Sequence, residues 1–153
     1  MIERVRAVLV TPAQEVLVIR RERPNIPPYW VLPGGHVESA DAGLEAALHR
    51  ELAEEIAGTA EIHSLILVID GTGERQYFYL GRIRTWSFID RSGPEFTEPG
   101  RGRYALDLVP FTAAGLASID LKPAPIAELL TETLSASRDP FALPDQRAAL
   151  GQR

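Results

Sequence analysis

Gly34-Gly35-His36-Val37-Glu38, followed after a short gap by Arg50-Glu51-Leu52-Ala53-Glu54-Glu55, is the stretch whose reading decides the fold. A glycine loop runs into a helix that carries carboxylates at i, i+3 and i+4. Side chains so spaced share one helix face, with Cβ atoms about 5–6 Å apart, and like charges there repel by roughly a few tenths of a kcal/mol per pair. A hard divalent cation held by oxygen ligands removes that repulsion.

Helix register sharpens the reading. At about 100° per residue, with Leu44 at zero, Leu48, Leu52 and Ile56 fall at about 40°, 80° and 120° and define the buried stripe. Glu55 at about 20° and Glu51 at about 340° sit on the edge of that stripe, and Glu54 and Arg50 follow at about 280° and 240°. The carboxylates therefore sit where unpaired charge is costly. Arg50 and Glu54 form an i, i+4 pair, so a fixed cation leans on the acidic cluster. An ordinary solvated face would share this spacing, but not the stripe-edge position or the Gly-Gly loop before it.

These residues resemble the signature of the Nudix hydrolase superfamily: a glycine, five residues, an acid, seven residues, then Arg-Glu-aliphatic-x-Glu-Glu-x-Gly-aliphatic. Gly35, Arg50, Glu51, Leu52, Glu54 and Glu55 match in type. Three departures stand out. The mid-motif acid is Asp41, one extra residue separates it from Arg50, and the closing glycine is Gly58, with Ala57 in its usual place. The first two fall in the loop and helix start, where an insertion can be absorbed. At the third, Gly58 is expected to cap the helix in the left-handed conformation. The Glu51/Glu54/Glu55 spacing is untouched.

Size and composition suit one compact domain. The chain has 153 residues, 45% apolar and 24% charged, with net charge −5 and no cysteine. A domain of this size buries about 68–70% of its unfolded surface. Disulfides, thiolate ligands and a cysteine nucleophile are excluded, and a cytoplasmic location is expected. No apolar run is long enough for a transmembrane helix, and the N-terminus lacks a secretory apolar region. Without clustered Lys/Arg, a long nucleic acid is not an expected partner.

Along the chain, 5–10 and 15–20 read as strands joined at Thr11-Pro12-Ala13-Gln14. Residues 21–28, rich in proline, read as an extended surface loop, and 29–32 as a short strand. The motif helix covers about 43–56. Strands at 60–70 and 76–88 flank a hairpin signal at Asp70-Gly71-Thr72-Gly73. A polar loop at 92–102 leads to a strand at 103–109, and helices are expected at 112–118 and 123–135. Residues 1–135 form the expected domain; 136–153 are expected to be a loosely packed tail or a short extra helix. Pattern supports an α/β or α+β class. The resemblance implies the Nudix α/β/α sandwich around a mixed, twisted sheet.

The residues also argue chemistry. Cleaving a phosphoanhydride requires neutralised phosphoryl oxygens and a water aligned for in-line attack. Mg²⁺, with Mn²⁺ as the alternative, suits carboxylates and carbonyls. Glu51 and Glu55 are the first candidate ligands; Glu54 is a further ligand or the base that orients water. The resemblance adds the Gly34 carbonyl, with Arg50 orienting the carboxylates. Glu38 is a metal-proximal or substrate-side acid, Gly35 and Arg21 are candidates for substrate contact, and Glu95 and Glu98 are candidate distant bases. His36, His49 and His63 have no ligand-like spacing. Tyr29, Trp30, Tyr77, Phe78 and Tyr79 are core residues among which a base-stacking ring could stand.

The function expected is Mg²⁺-dependent hydrolysis of a nucleoside diphosphate linked to another moiety, with a small nucleotide derivative as partner. A homodimer is the assembly the resemblance suggests. The alternative is a Nudix-fold nucleotide sensor that does not cleave, motivated by the inserted residue and displaced glycine.

Overall fold

The computed structural model describes residues 1–87 and 103–151. Its strands are β1 (Ile2–Val10), β2 (Glu15–Arg23), β3 (Ile26–Val31), β4 (Gly34–His36), β5 (Ala60–Gly71), β6 (Glu74–Ile83) and β7 (Arg103–Pro110). Its α-helices are α1 (Leu44–Ile56), α2 (Ala113–Ala117) and α3 (Ala124–Ser135). The strands form a mixed sheet ordered β3-β2-β1-β6-β5, with β4 pairing β1 and β7 pairing β2. β1 and β6 run parallel; the other pairings are antiparallel.

Period-2 alternation builds the two faces. Val5, Ala7, Leu9, Leu17, Tyr77 and Tyr79 join Leu44, Leu48, Leu52 and Ile56 of α1 in one buried cluster. Val8, Val10, Val16, Val18, Phe78 and Leu80 pack with Leu116, Ile126 and Leu130 of α2 and α3 in the other. Helices therefore cover both faces of the sheet, the α/β/α sandwich that the family resemblance implies. Tyr77 and Tyr79 face α1 while Phe78 faces away, as alternation requires, and all three are fully buried.

Three local expectations need correction. Residues 21–28 are not a loop: β2 continues to Arg23, the chain turns at Pro24-Asn25 with Asn25 at φ 65°, and β3 begins at Ile26. Pro27 and Pro28 are accommodated because β3 is an edge strand and its register against β2 shifts between Arg21 and Arg23, opposite these two residues. β6 stops at Ile83, and the Ser87 amide donates to the Ile56 carbonyl at 2.7 Å, returning the chain to the end of α1. Gly58 does not cap α1 in the left-handed conformation. Ala57 does, at φ 46° and ψ 38°, while a Cβ on Gly58 would come within 2.8 Å of Ile83 Cδ1. Packing against Ile83, not backbone twist, explains that glycine.

What positions the glycine loop against α1 is a divergence between two strands. β1 and β2 pair only where Val10 meets Val16. Toward its N-terminus β1 instead takes β4 as neighbour, with Arg4 opposite His36, Val5 opposite Gly35 and Arg6 opposite Gly34. A crevice opens there, with α1 along one side.

C-terminal to α3, 3₁₀ turns at Pro140–Ala142 and Ala148–Leu150 run past β5. The Gln146 amide donates to the Leu65 carbonyl at 2.8 Å, and the Leu65 amide donates to Asp145 Oδ1 at 3.1 Å. Arg147 binds Asp145, reaches Glu45 of α1 at 3.3 Å, and donates to the His63 carbonyl. The segment thus ties the β5 edge to the first turn of α1.

Candidate active site

Gly34 and Gly35 each stand where a side chain would meet close neighbours, backbone at Gly34 and the Glu51 carboxylate at Gly35. A Cβ on Gly34, at φ +145°, would lie 2.0 Å from the Val5 carbonyl oxygen. On Gly35 it would lie 2.4 Å from Glu51 Cδ and 2.5 Å from Oε2. β4 therefore presses its bare backbone against the carboxylate of α1. The Gly34 amide donates to Glu55 Oε1 at 2.8 Å, latching the loop to the helix. Glu55 is only 8% exposed, and the Glu51 side chain 12%, as the stripe-edge register requires.

Arg50 organises the acidic face. Its Nε and Nη2 bind the two oxygens of Asp41 at 2.9 and 3.0 Å, and Nη2 also donates to the His36 carbonyl at 2.8 Å. Nη1 reaches Glu51 at 3.1 Å, Glu54 at 3.3 Å and Glu38 at 3.6 Å. A planar fork of donors serves such a hub where a lysine could not. Asp41, the shortened acid of the signature, still reaches Arg50 with both oxygens. The Arg50 guanidinium, first by hydrogen bonding, holds its carboxyl below the usual carboxylate range, and Arg50 in turn is raised. A small turn braces Asp41 itself: the Glu38 amide donates to Asp41 Oδ2 at 2.7 Å, and the Asp41 amide donates to the Glu38 carbonyl at 3.0 Å.

Facing the carboxylates is a wall of arginines. A cavity of about 220 Å³ is lined by Arg4 and Arg6 of β1, Arg21 of β2, Gly34, Gly35, His36, Glu51, Glu55, and Tyr104 of β7. The Arg21 guanidinium lies 4.4 Å from the Tyr104 ring centre, and its buried Nε has no hydrogen-bond partner among the described residues. Arg4 is ion-paired with Glu74. Burial, and then the charges of Arg4 and Arg6, hold His36 below its ordinary value, which favours neutral imidazole. A larger cleft of about 310 Å³, between Val10, Arg82 and Phe141, lies at the other end of β1, away from these carboxylates.

The structure brings Gly34, Gly35, Arg21, Glu51 and Glu55 into one cavity. Glu54 and Glu38 stand outside its lining, on the Arg50 side. Glu95 and Glu98 lie outside the described residues. Among the described residues no three His, Cys, Asp or Glu side chains are already grouped as a metal cage; Glu54 is turned to Arg50, and Glu55 to the Gly34 amide. Sequence reasoning missed Arg4, Arg6 and Tyr104. For the arginines a signal existed: two like charges at i, i+2 in a strand must share one face. Tyr104 carried none.

A family model described as the NUDIX domain matches residues 1–125. The chain belongs to the Nudix hydrolase superfamily. That membership makes it a Nudix-type pyrophosphohydrolase, a hydrolase acting on acid anhydrides. Solved structures agree on the fold. A MutT from work on Aliivibrio salmonicida and Vibrio cholerae is 22% identical, covering 86% of this chain and 98% of its own, at a TM-score of 0.60. An ADP-ribose pyrophosphatase from Streptococcus suis is 21% identical, covering 90% and 92%, at 0.60. A MutT Nudix hydrolase from Burkholderia pseudomallei is 25% identical, covering 85% and 95%, at 0.53. No curated protein matches the sequence. No helix among the described residues is long and apolar enough to cross a membrane.

Proposed function

We propose that this Nudix protein is a Mg²⁺-dependent hydrolase that cleaves a phosphoanhydride bond in a nucleoside diphosphate linked to another moiety, with Mn²⁺ able to substitute. The observation that carries this reading is the facing of two nearly buried carboxylates, Glu51 and Glu55, by Arg6 and Arg21 across a small cavity. The donor set fits a hard dication: it is all oxygen, and Gly35 leaves Glu51 room that any Cβ would fill. Glu51, Glu55 and the Gly34 carbonyl would hold the metal, with Glu54 as a further ligand or the base. A bound Mg²⁺ supplies charge neutralisation at the phosphoryl oxygens and a polarised water.

The chain's own residues do the rest. Arg50 fixes the rotamers of Glu51 and Glu54 through its fork and restrains Glu38. Arg21, with an unsatisfied buried donor, takes a phosphoryl oxygen, and Gly35 lets the substrate approach the backbone. Glu38 and Glu98 remain proposed acids on the substrate side. Two of the similar solved structures, a MutT and an ADP-ribose pyrophosphatase, support the nucleotide class. A cysteine-free chain suits a reducing cytoplasm, and a homodimer is the assembly we propose from the family resemblance.

The test is hydrolysis of a panel of nucleoside triphosphates, ADP-ribose, dinucleoside polyphosphates and nucleotide sugars in ¹⁸O-water. Label in a phosphoryl product supports water attack at phosphorus. Metal-dependent binding of one compound without any cleavage would instead favour a sensor.

A further inference from the structure

Arg6 lies outside the family signature, yet β1 delivers its guanidinium to the wall facing both candidate ligands. Its Nη1 makes a long bond, 3.4 Å, to the Leu32 carbonyl. Burial lowers the affinity of this guanidinium for its proton. Glu55 offsets this most, Glu51 less, and Arg4 and Arg21 oppose it. A guanidinium cannot discharge by losing its proton, so Arg6 depends on Glu55 and Glu51 for its compensation. These are the groups assigned to the metal. Among the described residues that line the cavity, none can take their place: Arg4 and Arg21 are cations, Arg4 already engages Glu74, and His36 is neutral or cationic.

We propose that Arg6 is an internal counter-ion that competes with the divalent metal for Glu51 and Glu55 and passes to the substrate's phosphoryl oxygens when metal and substrate bind together. Arg6 is then a positioning residue that makes metal loading depend on substrate. The inference rests on the hydrolase reading above. Its logic is charge balance. A dication on the two carboxylates cancels the negative charge that Arg6 faces among the described lining residues, and the fork geometry of a phosphoryl group supplies a replacement anion. Without substrate, the same repulsion holds the metal off.

The test is Mn²⁺ titration of the whole chain, first alone and then with a non-cleavable, methylene-bridged nucleoside diphosphate analogue. In Arg6→Gln and the near-isosteric, apolar Arg6→Met, Mn²⁺ alone should bind at least about tenfold more tightly than in wild type. The extra tightening that the analogue confers should shrink by at least about tenfold. Arg6→Lys keeps the charge and should bind Mn²⁺ as wild type does. Melting with and without Mn²⁺ provides a second readout, with the metal raising the Tm of the neutral variants more than that of wild type. Equal or weaker Mn²⁺ binding in a folded neutral variant, or lysine behaving like glutamine, overturns the inference while leaving the hydrolase reading intact. No Mn²⁺ binding to any protein, with or without the analogue, overturns both.

Discussion

Placing a methyl group on Gly35 tests the site without disturbing the fold around it. The new Cβ would lie 2.4 Å from Glu51 Cδ and 2.5 and 2.6 Å from its oxygens. Carbon atoms settle at about 3.5–4.0 Å, so the carboxylate must retreat by about 1 Å. It is the free end of a side chain, and swinging it off its rotamer costs about 1 kcal/mol. A misplacement of about 1 Å in a catalytic constellation costs about a hundredfold in rate. Gly35→Ala should therefore melt within about 2–4 °C of wild type yet lose about two orders of magnitude in kcat/KM. Gly34→Ala is the contrast. Its Cβ would meet the Val5 carbonyl oxygen at 2.0 Å and Arg6 Cα at 2.8 Å, at φ +145°, and backbone cannot swing aside. It should lose about 3 kcal/mol or more of stability. Paired melting and steady-state kinetics decide. A Gly35→Ala protein that keeps activity within threefold, or unfolds as readily as Gly34→Ala, refutes the placement of Glu51 against β4.

Other predictions follow from single contacts. Arg50→Lys cannot serve Asp41 with two parallel bonds while reaching Glu51 and Glu54; kcat should fall about a hundredfold with a smaller change in KM, measured with saturating metal. Ala57→Gly relieves a left-handed alanine and should stabilise by about 0.5–1 kcal/mol, raising Tm by about 1–4 °C in calorimetry. Asp145 is held at about 2, chiefly by hydrogen bonding to Arg147, below its ordinary value of 3.8. Its tie to Leu65 and Arg147 is thus fully stabilising above the ordinary value and fades as pH falls toward about 2. Asp145→Asn should lower stability at neutral pH, flatten the acid limb between those values, and speed hydrogen exchange at the Leu65 amide.

The helix and its acidic edge were legible because period and chemistry coincided: Leu44, Leu48, Leu52 and Ile56 marked the stripe, and Glu51 and Glu55 fell beside it. The face split of Tyr77, Phe78 and Tyr79 was legible for the same reason. What escaped was whatever depended on distant chain. Nothing local shows that Pro27 and Pro28 stand on a sheet edge, where their missing N–H groups cost little. Ala57, not Gly58, takes the left-handed cap, and the space a Gly58 side chain would need is filled by Ile83, a contact set by β6. The crevice that gathers Arg6, Arg21 and Tyr104 exists because β1 and β2 part after one paired position, and no residue pattern announces that divergence.

The most direct measurement is release of phosphorylated product from the nucleotide panel by wild type and Glu55→Gln, each with and without Mg²⁺. The account predicts cleavage of at least one compound that requires Mg²⁺ and falls at least about a hundredfold in the variant. Cleavage that persists in metal-free buffer, or that Glu55→Gln leaves unchanged, would contradict it.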